Sequence, residues 1–187
     1  MIRSNGTFLA YIKRLKEENK FDWITEHHVE SGVKIITEKT NVRSIYLIKK
    51  GLAKCYLTED TGNDFIQEFF GQGELFGEIE LITNDISFCT VETLIPTTYF
   101  KISKSGFIHL TKNDKSFNSL LLSLMAHKIQ YTALRHSYNQ THSLEENLKR
   151  LLEQFPDLLL HISKNDIANY LGITVRSLNR VLKEGIR

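Results

Sequence analysis

The stretch Ser163–Glu184, SKNDIANYLGITVRSLNRVLKE, places the strongest limits on the fold, because its residue spacing predicts two short helices joined by a tight turn. Ser163 is a favoured residue at a helix N-terminus, and Thr174 is favoured in the same way for the second helix. Gly172 predicts the end of the first helix, since a residue without Cβ adopts the left-handed conformation easily. The apolar residues recur at helical spacing on one side of each helix: Ile167, Ala168, Leu171, Leu178, Val181 and Leu182.

The second of these helices carries cations and an amide on its outward face. Arg176 and Arg180 are four residues apart and therefore share a helix face, with Asn179 beside them. In helix-turn-helix proteins the second helix lies in the major groove of DNA, where arginine can contact guanine and asparagine can contact adenine. We therefore predict that duplex DNA is contacted by Arg176, Arg180, Asn179, Ser177, Thr174, Lys183, Lys164 and Ser163. An ordinary helical hairpin within a core is the alternative interpretation, because apolar periodicity alone fits both.

The net charge of +2 is unevenly distributed along the chain. Residues 161–187 contain five Lys and Arg but only two Asp and Glu, which gives this segment a charge of +3. The rest of the chain contains 19 Lys and Arg and 20 Asp and Glu, which gives −1. A C-terminal module that faces phosphate groups requires this concentration of positive charge.

The chain contains two cysteines, Cys55 and Cys89. Two thiols are too few for an iron–sulfur cluster within one chain, and neither they nor the seven histidines show the spacing of a zinc site, so we predict no metal or other cofactor. Apolar neighbours such as Leu57 and Phe88 favour inert thiols, with a response to oxidants as the alternative. The chain start lacks an apolar signal core and no run is long enough to span a membrane, so we expect a cytoplasmic protein with no membrane partner.

Short β-strands separated by turns are predicted between Val33 and Ile102. The β-rich segments are Val33, Ile35, Ser44–Ile48, Leu52–Thr58, Phe65–Phe70, Thr90–Leu94 and Thr98–Ile102. Turns are expected at 49–51, at 60–63 and at Pro96. Many short strands with regular turns favour an all-β sandwich, roll or barrel for this region.

Helices are predicted on both sides of the β-rich region. Residues 7–19 place three apolar residues on one helical face, and a second short helix is expected after them. The residues concerned are Phe8, Ile12 and Leu15 for the first helix and Phe21, Trp23 and Ile24 for the second. Residues 139–143 read as a polar linker and hinge, and Ser143 with Glu146 forms a capping box for a further helix that ends before Pro156.

Residues 114–138 predict one long helix with two apolar stripes. The first stripe alternates by four and three residues, which is typical of a coiled-coil seam: Leu120, Leu124, His127, Tyr131, Leu134 and Tyr138. The second stripe is expected to pack on the β-rich domain: Leu122, Met125, Ile129 and Thr132. A helix that is apolar on two sides needs two partners, so we predict a homodimer through the first stripe, with His127 as a packed polar residue. Burial of both stripes within one chain is the alternative.

Three features, in this order, resemble the cAMP receptor protein/FNR family of bacterial transcription regulators. They are G-x-G-E-L-F-G-E at 71–78, the long helix, and I-A-N-Y-L-G-I-T-V-R-S-L-N-R-V-L-K at 167–183. The resemblance covers nearly all of the chain and implies an α+β fold. In that fold, an N-terminal β-roll (cyclic-nucleotide-binding-like, a double-stranded β-helix) with flanking helices precedes a long dimerisation helix and a C-terminal helical helix-turn-helix domain. The implied domains are a sensor at 1–112, a dimerisation helix at 113–138 and a DNA-binding domain at 139–187.

The candidate effector pocket departs from the family members that bind cyclic nucleotides. In those members a Gly-Glu pair, which Gly77 and Glu78 match, holds the ribose, and a later Arg followed by Ser or Thr holds the phosphate. Here the later place reads Ile-Ser-Phe-Cys at 86–89, and the segment from Cys55 to Phe100 contains nine Asp and Glu but no Lys or Arg. A buried phosphodiester needs a cation or several aimed N–H groups, so we expect no cAMP or cGMP binding. The candidate pocket residues are Gly77, Glu78, Ser87, Phe88 and Cys89.

The resemblance also bears on how DNA would be read. Arg180 matches the family's base-reading arginine, whereas Arg176 stands where many members carry glutamate, so a different half-site sequence is expected. Only four residues follow Lys183, too few for the β-hairpin wing of the family, so we expect a domain that lacks a complete wing and binds DNA more weakly overall. RNA polymerase is a further candidate partner.

Two other function classes fit parts of the sequence. A β-roll with glycine-rich turns also resembles a cupin, in which strand residues hold a catalytic metal. No histidine lies between Val29 and Ile108, so most such metal sites cannot be built, and we expect no enzymatic activity. The alternative function is a ligand- or redox-sensing dimeric β-roll protein with weak or lost DNA binding.

Overall fold

The described part of the chain comprises residues 2–18, 22–60, 62, 64–155 and 157–184 of a computed structural model. The polypeptide divides into two units, Met1–Lys115 and Ser116–Arg187. The long helix therefore lies almost entirely in the second unit, with the helix-turn-helix. Within the described ranges, no helix is both long and apolar enough to cross a membrane.

The first unit contains two β-sheets. Its strands are β1 (Ile2–Arg3), β2 (Ile24–Val29), β3 (Lys34–Ile36), β4 (Ser44–Lys50), β5 (Ala53–Thr58), β6 (Asp64–Phe70), β7 (Leu75–Phe76), β8 (Thr90–Thr93) and β9 (Thr97–Ser103). One sheet has the order β1-β6-β5-β8-β3, and the other has the order β2-β9-β4-β7. All strand pairs are antiparallel except β1 with β6. The predicted β-roll is therefore confirmed.

Eight helices are described along the chain. The first unit contains α1 (Gly6–Glu17), α2 (Glu78–Thr83) and α3 (Lys104–Asn113). The second contains α4 (Lys115–Thr141), α5 (Leu144–Gln154), α6 (Leu158–His161), α7 (Lys164–Leu171) and α8 (Val175–Glu184). The predicted first helix corresponds to α1, in which Phe8, Ile12 and Leu15 are buried as expected.

Apolar residues from both sheets form a buried core in the first unit. Its members come from neighbouring strands and from the segment before β8: Ile36, Ile48, Ala53, Cys55, Phe70, Phe76, Cys89 and Val91. The ring of Phe76 stacks on Phe70 and on Tyr46, with both pairs of ring centroids 5.4 Å apart. The inward positions of the strands are thus filled by side chains, as the alternation of the sequence indicates.

The chain start is tied to this unit by polar contacts that the sequence did not predict. β1 runs parallel to β6, and the Gly71 N–H donates to the Arg3 carbonyl at 2.9 Å. The Arg3 guanidinium pairs with Glu68 and lies 3.4 Å from the carboxylate of Glu74, the glutamate of the glycine-rich segment. Tyr11 of α1 donates to Asp114 at 2.5 Å. Burial and this carboxylate raise the pKa of Tyr11 above its ordinary value.

Several predicted elements of the first unit differ from the structure. The short helix expected at Trp23 and Ile24 is wrong, because Ile24 begins β2 and pairs with Ile102 of β9; Phe21 lies outside the described residues. Lys49 and Lys50, both expected in a turn, are still part of β4. β5 and β6 pair as a hairpin, although Thr61 and Asn63 of its turn lie outside the described residues. Helices α2 and α3 were not predicted.

In the second unit, α4 continues to Thr141, so the linker expected at 139–143 is largely helical. The capping box before α5 is confirmed: Ser143 Oγ accepts from the Glu146 N–H at 3.2 Å, and the Glu146 carboxylate accepts from the Ser143 N–H at 2.7 Å. These hydrogen bonds lower the pKa of Glu146. α5 ends at Gln154, and Pro156 lies outside the described residues.

Candidate nucleic-acid interface

The two C-terminal helices form the predicted helix-turn-helix. Ser163 accepts a hydrogen bond from the Asp166 N–H at 3.0 Å and thereby caps α7. α7 ends at Gly172, whose φ of 68° is left-handed, and the following Ile173 N–H bonds the Ala168 carbonyl at 3.0 Å. Thr174 accepts from the Ser177 N–H at 3.1 Å at the start of α8. Local capping chemistry therefore sets both helix boundaries and the turn between them.

The apolar side of this motif is buried and its basic side is exposed. Ile167, Ala168 and Leu178 are fully buried, and Val181 is 2% exposed. The outward face of α8 carries the exposed side chains Arg176, Arg180 and Lys183. The ordinary-hairpin alternative predicts that this face is covered, but the second unit leaves it open. Both arginines can therefore extend toward a ligand from one helix face.

Asn179 is held in place by a neighbouring helix. Lys164, at the start of α7, donates from Nζ to Asn179 Oδ1 at 3.0 Å. A bidentate contact with adenine requires both the oxygen and the nitrogen of the Asn179 amide. With its oxygen engaged by Lys164, Asn179 presents mainly its amide N–H groups, which favour a base acceptor such as guanine O6 or thymine O4.

Of the three hydroxyl residues among the predicted contacts, Ser163 and Thr174 cap helices and Ser177 contacts Thr174. The Ser163 hydroxyl donates to the Asp166 carboxylate at 2.7 Å while accepting from the backbone. The hydroxyls of Thr174 and Ser177 lie 3.0 Å apart. These side chains are committed to the ends of α7 and α8, so the exposed cations remain the stronger candidates for phosphate contacts.

A cluster of polar contacts within the second unit joins α4 to α7 at Tyr170. The Arg135 guanidinium lies 3.9 Å from the centre of the Tyr170 ring, and its Nη2 donates to the Tyr170 carbonyl at 3.0 Å. The hydroxyls of Tyr131 and Tyr170 are 2.9 Å apart. α7 is thereby fixed to the long helix, and the direction of α8 follows from it.

These contacts change the interpretation of the two stripes on α4. In the predicted dimer seam, Leu124 is 3% exposed within the single chain, and Tyr131 contacts Tyr170 as described above. The remaining seam residues range from half-buried to exposed: Leu120, His127, Leu134 and Tyr138. In the other stripe, expected to be covered by the β domain, Leu122 is 67% and Ile129 is 70% exposed. The expectation for the second stripe is therefore wrong at Leu122 and Ile129, and in the first stripe only Leu124 is fully buried.

The glycine-glutamate pair of the candidate effector pocket has a structural role at the start of α2. Gly77 precedes α2 with a left-handed φ of 87°, and a Cβ there would lie 2.8 Å from the Ser44 carbonyl oxygen. Glu78 follows as the first residue of α2 and is 1% exposed. The close approach of α2 to β4 therefore requires glycine at this position whether or not a ligand is present.

The remaining pocket residues lie around a buried carboxylate. Ser87 is 1% exposed, and its hydroxyl donates to Glu80 Oε1 at 2.7 Å and lies 2.9 Å from the Cys89 carbonyl oxygen. Cys89 is buried, whereas Phe88 is 48% exposed and points away from the core. Ser87 and Cys89 are thus brought together, but beside a carboxylate rather than a cation.

A separate cavity of about 370 Å³ opens at the surface of the first unit. It is lined by Asn41, Val42, Arg43, Glu80, Asn84, Asp85 and Lys104, so it contains none of the five predicted pocket residues. Among the described residues, no group of three or more His, Cys, Asp and Glu side chains is placed to hold a metal ion.

Two known families match the chain, and each match lies within one of its two units. Residues 26–114 match the family described as cyclic nucleotide-binding domain. Residues 160–184, which include α7 and α8, match the family described as bacterial regulatory proteins, crp family. The first match contains most of the β-roll, and the second contains the helix-turn-helix.

Curated relatives and solved structures agree with this division. The chain is 25% identical over 179 residues to the fumarate and nitrate reduction regulatory protein of Vibrio cholerae serotype O1, covering 89% of this chain and 71% of the relative. It is 28% identical over 154 residues to regulatory protein YeiL of Escherichia coli O157:H7, covering 81% and 70%. The structure of FixK2 from Bradyrhizobium japonicum shares the fold with a TM-score of 0.75 at 20% identity, covering 86% of this chain and 83% of that one. Along most of its length the chain is therefore similar to the cAMP receptor protein/FNR family of bacterial transcription regulators.

Proposed function

We propose that this protein is a cytoplasmic, sequence-specific DNA-binding regulator that acts as a homodimer and has no catalytic role. The exposed basic face of α8, with Arg176 and Arg180 outward and Leu178 buried beneath them, supports the proposal most directly. Each copy of α8 would enter a major groove, and the two copies would read half-sites about one helical turn apart. Lys183 and Lys164 are the proposed phosphate contacts, and RNA polymerase is a further proposed partner.

The proposed dimer interface is the exposed apolar face of α4. Leu122 and Ile129 are seven residues apart and both are more than half exposed, with the half-buried Met125 between them. A seven-residue repeat keeps side chains on the face that meets a partner helix in a coiled coil. This choice replaces the predicted seam, because Leu124 is already covered within the chain.

The proposed regulator does not respond to cAMP or cGMP. The Ser87 hydroxyl, in the segment where cyclic-nucleotide-binding members hold the phosphate, donates instead to the buried carboxylate of Glu80. A phosphodiester placed there would face the buried Glu80 carboxylate, and the segment from Cys55 to Phe100 contains no lysine or arginine to balance its charge. A calorimetric titration that showed micromolar cAMP binding would contradict this part of the proposal.

The proposal is tested by selecting duplexes from a random library with the full chain and measuring affinity for the selected site across a range of salt concentrations. We expect a pseudo-palindromic consensus and a logarithm of affinity that falls steeply with the logarithm of salt concentration. The alternative, a sensing dimer that does not bind DNA, predicts no enriched sequence and no steep salt dependence. A matched double variant, Arg176→Ala with Arg180→Ala, should lose the selected site while its fold and dimerisation are retained.

A further inference from the structure

The two cysteines of the chain, 34 positions apart in sequence, meet in the core of the first unit. Cys55 lies on β5, and Cys89 immediately precedes β8, which pairs with β5 in the same sheet. Their Sγ atoms are 3.1 Å apart, and neither residue is part of a disulfide. Since a disulfide has a sulfur–sulfur distance of about 2.05 Å, a relative movement of about 1 Å would join them.

The surroundings of the pair hold both sulfurs in place. Cys55 is 5% exposed and Cys89 is 4% exposed, within the apolar core cluster that includes Val91. The segment before Cys89 is fixed by Ser87, whose N–H donates to the Thr40 carbonyl at 2.8 Å and whose hydroxyl donates to Glu80 Oε1 at 2.7 Å. The proximity of the thiols is therefore part of the packed sheet and does not depend on a mobile loop.

We propose that Cys55 and Cys89 form a redox-active pair that hydrogen peroxide or a similarly small peroxide converts into an intrachain disulfide. One sulfur attacks a peroxide oxygen, the O–O bond breaks, and the products are a sulfenic acid and water. The second thiol then attacks the sulfenic sulfur, an S–S bond forms, and a second water leaves. In total, two thiols lose two electrons and two protons, and one hydrogen peroxide is reduced to two waters.

The burial of the pair selects the class of oxidant. A bulky disulfide such as oxidised glutathione cannot reach sulfurs in residues that are 4–5% exposed, so the proposed oxidant is a small neutral peroxide. The sequence favoured inert thiols because each cysteine has apolar neighbours. The structure adds a second thiol at 3.1 Å, which captures a sulfenic acid before it is oxidised further.

The disulfide would link β5 to the segment that contains Ser87 and Cys89, beside α2. Closing a loop of this length restricts the unfolded chain, so the oxidised first unit should resist heat better than the reduced one. Trp23, the single tryptophan of the chain, lies in this unit and reports its unfolding by fluorescence. The expected increase in Tm on oxidation is roughly 5 °C or more, and a thiol reductant should reverse it.

In the test, the reduced full chain is treated with limited hydrogen peroxide. It is then digested under non-reducing conditions, and the peptides that contain cysteine are identified. Trypsin leaves both cysteines in one peptide, because no Lys or Arg lies between Cys55 and Phe100, so cleavage after glutamate is used instead. This cleavage separates peptide 39–59, with Cys55, from peptide 81–92, with Cys89. On a denaturing, non-reducing gel the oxidised protein should migrate as a single chain. The digest of that protein should contain the two peptides joined by a disulfide.

The serine variants provide the control for the thermal measurement. Cys55→Ser and Cys89→Ser should each show no increase in Tm with peroxide. Separate peptides with free or sulfinic cysteines, or a link found only between two chains, would overturn the proposal. The mapping uses the wild-type chain, so it decides the question even if a variant does not fold. It also involves no DNA, so its failure would leave the proposed function untouched.

Discussion

At the scale of single residues, the outward side chains of α8 divide by the chemistry they can perform. Arg176 and Arg180 have planar guanidinium groups that can pair with a base edge, whereas Lys183 is a point charge suited to phosphate. All three are exposed, so substitutions there should leave the buried side of the helix, including Leu178, intact. Losses of DNA affinity can therefore be separated from losses of folding.

Arg180→Ala should weaken binding to the selected duplex by about 1–3 kcal/mol and relax the preference at one base position, because a direct base contact is lost. Lys183→Ala should instead lower affinity equally for all duplexes and reduce the salt slope by about 1. A gel-shift series over single-base variants of the site distinguishes the two patterns. Unchanged affinity and preference in Arg180→Ala would contradict the proposed docking of α8.

Tyr11 leads to a prediction about alkaline stability. Burial and the Asp114 carboxylate raise the pKa of Tyr11, so the neutral phenol is favoured in the folded state. The stabilisation is therefore complete below the unfolded pKa of about 10 and is lost as the pH rises above it. Tyr11→Phe should cost about 1.5 kcal/mol at neutral pH, and the difference from wild type should shrink as the pH rises above 10. Urea unfolding followed by Trp23 fluorescence measures both values, and a constant difference across this range would contradict the assignment.

At the scale of secondary-structure elements, α4 has one buried face and one open face. Phe117, Leu121 and Leu124 are at most 5% exposed, whereas Leu122 and Ile129 are the most exposed apolar residues of this helix. Large apolar side chains exposed along one face mark a surface that another element covers. In the proposed homodimer, that element is α4 of the second protomer.

Leu122→Glu combined with Ile129→Glu should therefore shift the protein from dimer to monomer in sedimentation equilibrium, because two pairs of carboxylates would be placed in the interface. Ser123→Glu combined with Gln130→Glu is the matched control, since it adds the same two charges at the adjacent exposed positions outside this face. The control should remain dimeric. A Leu122→Glu, Ile129→Glu variant that stays dimeric at the same concentration would show that α4 meets its partner through another face.

The elements differ in how far local sequence could predict them. The helix-turn-helix and the capping box of α5 depend on residues close in sequence, such as Ser163, Gly172 and Ser143, and both were predicted with their caps. β1 has only two residues and is defined by its pairing with β6, and α2 begins at Gly77 without a side-chain cap. Neither β1 nor α2 could therefore be predicted from the residues close to it in sequence.

The same distinction applies to the candidate sites. The basic face of α8 follows from helical periodicity alone, so its exposed arginines could be identified from the sequence. The bond from Lys164 to Asn179, the contact of Cys55 with Cys89 and the choice of the buried face on α4 all depend on tertiary packing. Periodicity predicts that a stripe exists, but it does not determine which element covers it.

At the scale of the whole molecule, the proposal requires two copies of α8 to read one duplex with two-fold symmetry. Because the two protomers are equivalent, a substitution in a base-reading residue must change the base preference at equivalent positions of both half-sites. Arg176 is the most informative position, since it is exposed and stands where many family members carry glutamate. Its replacement alters the chemistry offered to the base without touching the core of the motif.

The most direct measurement is therefore duplex selection repeated with Arg176→Glu, beside wild type and Lys183→Ala. We predict that the consensus of Arg176→Glu changes at one position in each half-site, symmetrically, with cytosine gaining preference because glutamate accepts from its amino group. Lys183→Ala should keep the wild-type consensus. An unchanged consensus in Arg176→Glu, or no enriched sequence with the wild-type chain, would contradict the account.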